Sequence, residues 1–227
     1  MRAVPRVKAG LRAALLLVFT AGLRAGPLVL LDPGHGGADA GVSVQDFHEA
    51  DYVLALAGRI APLLKARGCD VALTRDSDQY LSLGARVQLA NALQPLAMVS
   101  LHVNAAFQTQ AQGPRIFVPS EMKVDEPEAP LWEQAAGMHA AASRTLGLCL
   151  AKALGITGPR PVQTLKLGLF RGLSVPVCLV EVGFATHPED LAALKDDAAT
   201  EVLAVKLATG IADYVVGPQQ KAAGATP

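Results

Sequence analysis

The sequence alternates short apolar runs with longer amphipathic segments from residue 28 onward. Four of the runs have the length and composition of β-strands: residues 28–32, 70–74, 98–102 and 177–182, and residues 116–118 could add a fifth. Strands that alternate with helices along a chain are typical of a largely parallel sheet with helices on both faces. We therefore predict an α/β fold, a single three-layer domain with a mostly parallel, mixed sheet of about six strands flanked by helices.

Four segments between and after these runs have apolar residues at helical spacing. They cover residues 50–67, 83–93, 131–154 and 191–215. Gly68 and Gly155 are expected to end the first and third of these helices, whereas Gly210 leaves open whether the last is one helix or two. Asp46 and Glu49 have the spacing of a capping box, which would place Glu49 in the first turn of the first helix.

The overall composition excludes several classes of protein. Hydrophobic residues make up 51% of the 227 residues, which is enough for a well-filled core and excludes general disorder. Twenty basic and twenty acidic residues cancel, so no net charge draws the protein to nucleic acid or an anionic membrane. Cys69, Cys149 and Cys178 are too widely spaced for a CxxC metal site, and we expect them to be small buried hydrophobes.

The two ends of the chain differ in composition from the rest. Basic residues precede an apolar run at residues 13–22 and a group of small residues, which is the order found in a secretory signal peptide. That run is too short to span a bilayer as a helix. We expect residues 1–25 to be a signal peptide and residues 218–227 to be a flexible tail. A cytosolic protein with a basic, apolar N-terminal arm is the alternative.

Polar side chains stand at the carboxyl ends of three predicted strands. His35 follows the first strand across a tight turn, His102 closes the third, and Glu181 lies near the end of the last. In a parallel sheet these ends meet at one edge, which is where α/β proteins bind ligands. Glu49, at the start of the first helix, can reach the same edge.

Two histidines and one carboxylate with an open fourth position are what a catalytic zinc ion needs. The ion would lower the pKa of a bound water to about 7. A second carboxylate near the metal must then take the proton of the water and pass it on, and Glu181 is placed for that role. His48 adjoins Glu49 and is the alternative ligand, whereas His139 and His187 have no convergent partners.

The glycine-rich residues 34–41 follow a strand, as a phosphate-binding loop does. They lack both the G-K-[ST] ending and the G-x-G-x-x-G spacing of nucleotide-binding loops. We expect these glycines instead to let the backbone pass close to a bound ion.

Five segments, in the same order along the chain, resemble motifs of the type 3 zinc N-acetylmuramoyl-L-alanine amidases, which remodel peptidoglycan. They are residues 30–37 (LLDPGHGG), 49–51 (EAD), 73–76 (LTRD) with Arg86 and residues 90–91 (AN), 100–104 (SLHVN) and 180–184 (VEVGF). The match covers nearly the whole chain after the predicted signal peptide.

This resemblance implies a zinc ion held by His35, Glu49 and His102, with Glu181 as general acid and base. It implies that residues 26–217 form a catalytic domain that hydrolyses the amide joining N-acetylmuramic acid to L-alanine, outside the cytoplasm. The expected partner is peptidoglycan rather than nucleic acid. We expect a monomer, and an activator protein stays an open question. Two alternatives stay open as well: a zinc peptidase that trims stem peptides, and an inert wall-binding protein of the same fold.

Overall fold

The computed structural model describes residues 26–108, 110–121 and 131–217, so the predicted signal peptide and tail lie outside the described residues. The strands of the main sheet are β1 (Leu28–Pro33), β4 (Asp70–Leu73), β5 (Ala97–Asn104), β6 (Arg115–Val118), β7 (Gln163–Thr164) and β8 (Val177–Phe184). They are arranged in the order β4-β1-β5-β8-β6-β7. A separate antiparallel ribbon joins β2 (Ser43–Val44) to β3 (Phe47–His48).

The sheet is mostly parallel, as predicted. β1 pairs in parallel with β4 and with β5, and β5 pairs in parallel with β8. β6 is antiparallel to β8, which makes the sheet mixed. β5 and β8 each extend beyond their predicted ends, so His102 lies within a strand rather than at its end, and it is directly opposite Glu181 in β8.

Helices cover both faces of this sheet. In the described ranges they are α1 (Glu49–Lys65), α2 (Leu83–Leu93), α3 (Leu131–Met138), α4 (Ala140–Leu154), α5 (Pro188–Lys195) and α6 (Asp197–Val215). One apolar core joins α1, α4 and α6 to one face, and a second joins α2 and residues 167–175 to the other. This is the predicted three-layer arrangement. None of the helices in the described part of the chain has the length and apolar character needed to cross a membrane.

Two of the predicted helical segments are each divided in two. Residues 131–154 divide at His139, and α4 then ends at Gly155 in the left-handed conformation. Residues 191–215 divide at Asp196, whose side chain caps α6, rather than at Gly210. A Cβ atom at Gly210 would lie 2.9 Å from Cα of Leu150, so this glycine lets α6 pack closely against α4.

The predicted capping box at the start of α1 is wrong. His48 occupies the N-cap position and makes no side-chain capping bond. Asp46 is exposed and instead contacts Nζ of Lys195 in α5. Glu49 is nevertheless the first residue of α1, as expected, and its carboxylate is buried at the sheet edge instead of reaching back to the N-cap.

The cysteines are free thiols in the protein interior. Cys69 and Cys178 are buried and Cys149 is half-buried. Burial raises the pKa of all three thiols, which disfavours the reactive thiolate. The prediction that the cysteines are small buried hydrophobic residues is confirmed for Cys69 and Cys178, whereas Cys149 is only partly buried.

Candidate metal centre

Three side chains from different elements meet at the carboxyl edge of the parallel strands. His35 lies in the loop after β1 with φ 56°, a left-handed conformation that few residues other than glycine adopt. Glu49 comes from the first turn of α1, and His102 from β5. Together they form a cluster of groups that could hold a metal ion, as the strand-end argument predicted.

The ligand atoms of this cluster are almost equally spaced. Nε2 of His35 lies 3.1 Å from Oε1 of Glu49 and 3.2 Å from Nδ1 of His102. Nδ1 of His102 lies 3.0 Å from the same Oε1 atom. Ligands around a tetrahedral zinc ion with bonds near 2.0–2.1 Å are about 3.3 Å apart. The donor set and the spacing of the residues present therefore fit a zinc ion.

The charges in the cluster are strongly coupled. Contact with Glu49 raises the pKa of His35 to about 9, against the opposing effect of burial. Burial would raise the pKa of Glu49, but hydrogen bonds from His102, His35 and the backbone N–H groups of Val42 and Val103 lower it to about 2. Without a metal ion His35 would carry a proton beside ionised Glu49 at neutral pH, so metal binding would release that proton.

Asp39 fixes the orientation of the His35 ring. Its Oδ2 atom lies 2.9 Å from Nδ1 of His35, and its Oδ1 atom accepts a hydrogen bond from the N–H of Gly41. A proton on Nδ1 leaves the lone pair on Nε2, the atom that faces Glu49 and His102. Carboxylates commonly orient metal-binding histidines in this way.

Two glycines allow the cluster to be this compact. A Cβ atom at Gly34 would lie 2.2 Å from Cε1 of His102, and one at Gly41 would lie 2.5 Å from Oε2 of Glu49. A larger residue at either position would therefore force a side chain of the cluster to move. These glycines therefore let the backbone pass close to the side chains of the cluster.

A buried ion pair supports the loop that carries His35. Asp32 and Arg86 are almost fully buried, and Nη1 of Arg86 lies 2.5 Å from Oδ1 of Asp32. Arg86 also donates to the carbonyls of Pro33 and His35 at 2.7 Å each. The pair therefore holds the end of β1 and the backbone of His35 in one arrangement. The remaining bonds to Asp32 come from the hydroxyl groups of Thr74 and Ser100.

A second buried arginine holds the same loop against α1. Arg75 is 1% exposed and donates to the carbonyls of Pro33, Gly34 and Ala50 at 2.7–3.0 Å. Ala50 follows Glu49 in α1, so Arg75 ties the His35 loop to the helix that supplies the carboxylate. The relative positions of two of the three cluster residues thus depend on this guanidinium.

Glu181 faces the cluster from the neighbouring strand. It pairs with His102 across β5 and β8, and its Oε2 atom is buried without a hydrogen-bond partner among the described residues. Burial raises the pKa of Glu181 to about 7. A buried oxygen without a partner is uncommon and costly, which indicates that this group serves a bound molecule rather than the fold.

The four residues line one open cavity of about 370 Å³ at the sheet edge. The backbone and side chains around it include Gly41, Val42, Val103, Asn104 and Ala105. The cavity can hold a metal ion at His35, Glu49 and His102 on one side. On the other side, the carboxyl group of Glu181 is available to contact a substrate.

The other histidines take no part in the cluster. His48 is exposed, and its Nδ1 atom lies 3.2 Å from Oγ of Ser43, so the geometry favours Glu49 over His48. His187 occupies the N-cap of α5, where its side chain accepts from the N–H of Asp190. His139 occupies the N-cap of α4.

Sequence reasoning missed the residues that support the cluster. Asp39 was not singled out, although an aspartate four residues after a histidine ligand is a usable signal for an orienting carboxylate. Arg75 and Arg86 are part of a segment that resembles the family, but the sequence does not predict their contacts with the His35 loop. A charged residue inside a strand, such as Asp32, indicates a buried partner but does not identify which arginine supplies it.

The sequence model of the N-acetylmuramoyl-L-alanine amidase family matches residues 29–213. The endolysin of Bacillus phage SPP1 is 30% identical over 201 residues, which cover 88% of this chain and 70% of the endolysin. N-acetylmuramoyl-L-alanine amidase AmiA of Salmonella typhimurium is 28% identical, with 82% of this chain and 75% of AmiA covered.

A solved structure shares the fold as well. N-acetylmuramoyl-L-alanine amidase AmiC2 of Nostoc punctiforme superposes with a TM-score of 0.68 and is 26% identical. The superposition covers 83% of this chain and 96% of the AmiC2 chain. The similarity therefore extends over the sheet, the helices and the edge that carries the cluster.

Proposed function

The chain belongs to the N-acetylmuramoyl-L-alanine amidase family, and we propose that it is a zinc-dependent hydrolase of the amide between N-acetylmuramic acid and L-alanine. The observation that carries this proposal is the meeting of Nε2 of His35, Oε1 of Glu49 and Nδ1 of His102 at 3.0–3.2 Å. The carboxyl group of Glu181, whose Oε2 atom has no hydrogen-bond partner among the described residues, borders the same cavity.

Zinc is the metal that this donor set suits best. Imidazole nitrogens suit several transition metals, whereas calcium and magnesium prefer oxygen ligands throughout. Three protein ligands with an open fourth position are characteristic of catalytic rather than structural zinc. When bound, the ion supplies a Lewis acid and lowers the pKa of a coordinated water to about 7.

In the proposed reaction Glu181 moves the proton. Its carboxylate takes a proton from the attacking water and returns it to the leaving nitrogen of L-alanine, so that the amine departs neutral. A pKa of about 7 suits both steps near neutral pH, because the group can both accept and donate. His35, Glu49 and His102 hold the metal, while Asp39, Arg75 and Arg86 keep the His35 loop in place.

Product analysis tests the proposal directly. Purified protein is incubated with peptidoglycan in zinc, in a chelator, and in a chelator followed by excess zinc, and the released fragments are identified by mass. We expect intact stem peptides with a free L-alanine amine, no release with chelator, and recovery with zinc. Glu181→Gln should abolish release, whereas Glu189→Gln, at an exposed glutamate in α5, should not.

The same experiment separates the two alternatives. Shortened stem peptides that remain attached to the glycan would identify a peptidase. No release under any condition would support an inert wall-binding protein. The three candidate metal ligands and the candidate general base Glu181 are all present, which argues against an inert protein.

We also propose that the protein acts outside the cytoplasm, with residues 1–25 as its signal peptide and residues 26–217 as its catalytic domain. The basic and apolar character of the leader supports this proposal. Expression in a bacterial host, followed by cell fractionation and N-terminal sequencing, tests it. Recovery in the cytoplasm with Met1 retained would contradict export.

A further inference from the structure

Arg115 stands next to Glu181 on the outer side of the candidate site. The two residues are Cα partners in the antiparallel pairing of β6 and β8. Directly opposite residues of an antiparallel pair project from the same face of the sheet. The alternation of β6 agrees, because Ile116 and Val118 join the core on the other face. Arg115 and Glu181 therefore face the same side.

The Arg115 guanidinium has an aromatic support and, among the described residues, no anionic partner. Its Cζ atom lies 5.6 Å from the centre of the Phe184 ring, which is a cation–π arrangement. Arg115 forms no ion pair with any carboxylate in the part of the chain that the structure describes. Arg86 and Arg59, by contrast, are paired with Asp32 and Asp197. Arg115 is half-buried, and it lies one strand away from Glu181, which lines the cavity.

The proposed reaction sets the direction in which a substrate crosses the sheet. The leaving nitrogen must lie against Glu181 on β8, while the acyl carbonyl lies towards the ligands on the β1 and β5 side. The stem peptide therefore extends from β8 towards β6, the next strand in the sheet, about 4.8 Å further on. One residue of extended chain spans at most about 3.6 Å, so the second residue of the peptide comes level with Arg115.

We propose that Arg115 is a specificity-determining residue that binds a carboxylate on the second residue of the stem peptide. This inference rests on the proposed function, because the direction of the peptide follows from the role of Glu181. Guanidinium matches a carboxylate in a bidentate geometry that a lysine cannot reproduce. Stacking on Phe184 limits the positions open to the guanidinium and so reduces the entropy lost on binding.

Two soluble N-acetylmuramoyl dipeptides test this role. They are identical except that the second residue carries a free carboxylate in one and a carboxamide in the other. We expect the wild-type protein to have a KM about 10- to 100-fold lower for the acid than for the amide, as for a hydrogen bond between charged groups. Arg115→Gln should raise the KM for the acid alone, with kcat almost unchanged, and Arg115→Lys should restore part of the preference.

Arg144→Gln is the matched control, since Arg144 is an exposed residue of α4, which packs on the other face of the sheet. It should keep the wild-type preference. An Arg115→Gln protein that keeps the preference would overturn the inference. If the glutamine variant fails to fold, Arg115→Lys, the smaller change, takes its place. A lysine variant with the full wild-type preference would then overturn the inference.

Binding of the two free dipeptides, the amine products of the reaction, is measured by calorimetry and does not require hydrolysis. Tighter binding of the acid that depends on Arg115 supports the inference, and equal binding of both overturns it. A wild-type protein that hydrolyses neither substrate but binds the acid through Arg115 would refute the amidase proposal alone.

Discussion

Nδ1 of His35 lies 2.9 Å from Oδ2 of Asp39, on the side of the imidazole ring opposite the candidate metal ligands. An acceptor at this position keeps the proton on Nδ1, so the lone pair on Nε2 faces Glu49 and His102. The four-residue spacing places the acceptor within the same loop, where Oδ1 of Asp39 also accepts a hydrogen bond from the N–H of Gly41.

Asp39→Ala should therefore weaken zinc binding by about 10- to 100-fold, the usual effect of losing an orienting carboxylate. Asp39→Asn, which keeps an oxygen acceptor, should cost less. Affinity is measured by competition with a chromophoric chelator. Asp76→Ala is the matched control, because Asp76 is an exposed aspartate whose side chain accepts from the hydroxyl group of Ser77 and lies outside the cluster. Equal affinities for all the proteins would contradict an orienting role.

The choice between Glu49 and His48 as ligand leads to a second prediction. Zinc should stabilise the wild-type protein, by about 2.7 kcal/mol at 100 times its dissociation constant. Glu49→Gln should lose most of this gain, because the carboxylate oxygen lies 3.0–3.1 Å from both imidazole nitrogens. His48→Ala should keep it, since His48 is exposed and turned to Ser43. Thermal unfolding with and without zinc measures both effects, and loss of the gain in His48→Ala would reverse the assignment.

The Glu181 carboxyl leads to a prediction about stability and pH. Burial raises its pKa from an ordinary 4.5 to about 7 in the folded protein. Between these values the folded state keeps a proton that the unfolded chain has released, so stability falls as pH rises. The cost is absent below pH 4.5 and fully present above pH 7, where it amounts to about 3 kcal/mol.

Glu181→Gln removes this cost, because glutamine does not ionise. In chelator-treated protein, urea unfolding should find the variant more stable than wild type at pH 8 and similar to it at pH 4.5. Glu189→Gln, at an exposed glutamate, should change the pH dependence little. A difference between Glu181→Gln and wild type that is the same at both pH values would exclude this explanation.

The positions of the cluster residues could be predicted because parallel strands share an edge. His35 follows one apolar run, and His102 ends another. The two runs form β1 and β5, which are adjacent in the sheet, so the two rings lie close together. Glu181 was found by the same rule, since β8 is the next parallel strand. The pattern of apolar residues carries this information because it reports which segments are buried strands.

The supporting contacts could not be predicted because they depend on three-dimensional register. Asp32 and Arg86 are 54 residues apart, and no periodic pattern links them. Arg75 bonds to backbone carbonyls, which every residue has, so its sequence neighbours do not reveal its partners. Arg115 lies opposite Glu181 because β6 is antiparallel to β8 in this register. The sequence of a short strand does not show whether it pairs in parallel or antiparallel.

The Asp32–Arg86 pair leads to a fourth prediction, about folding stability. Both side chains are at most 4% exposed, so removal of one partner leaves an uncompensated buried charge. Asp32→Asn should lower the free energy of unfolding by about 3–5 kcal/mol. Arg59→Met breaks the exposed pair with Asp197 and should change stability little by comparison. Urea unfolding compares the two variants, and equal losses would mean that burial of the pair is unimportant.

The fifth prediction separates packing at the metal centre from general effects of replacing glycine. A Cβ atom at Gly34 would lie 2.2 Å from Cε1 of the His102 ring, so Gly34→Ala must move that ring out of the cluster. Zinc affinity should fall well below that of the wild-type protein, while the fold persists, because the crowding is confined to one side chain at the open edge.

Gly58→Ala is the matched control, since Gly58 lies within α1 and an added Cβ would meet no described atom within 4 Å apart from its chain neighbours and the backbone of its own helix. Alanine at this helical position should stabilise the protein by about 1 kcal/mol and leave zinc binding unchanged. Chelator competition and urea unfolding of both variants provide the comparison. If Gly34→Ala bound zinc as tightly as Gly58→Ala, His102 could not be a ligand in the position it occupies beside Glu49.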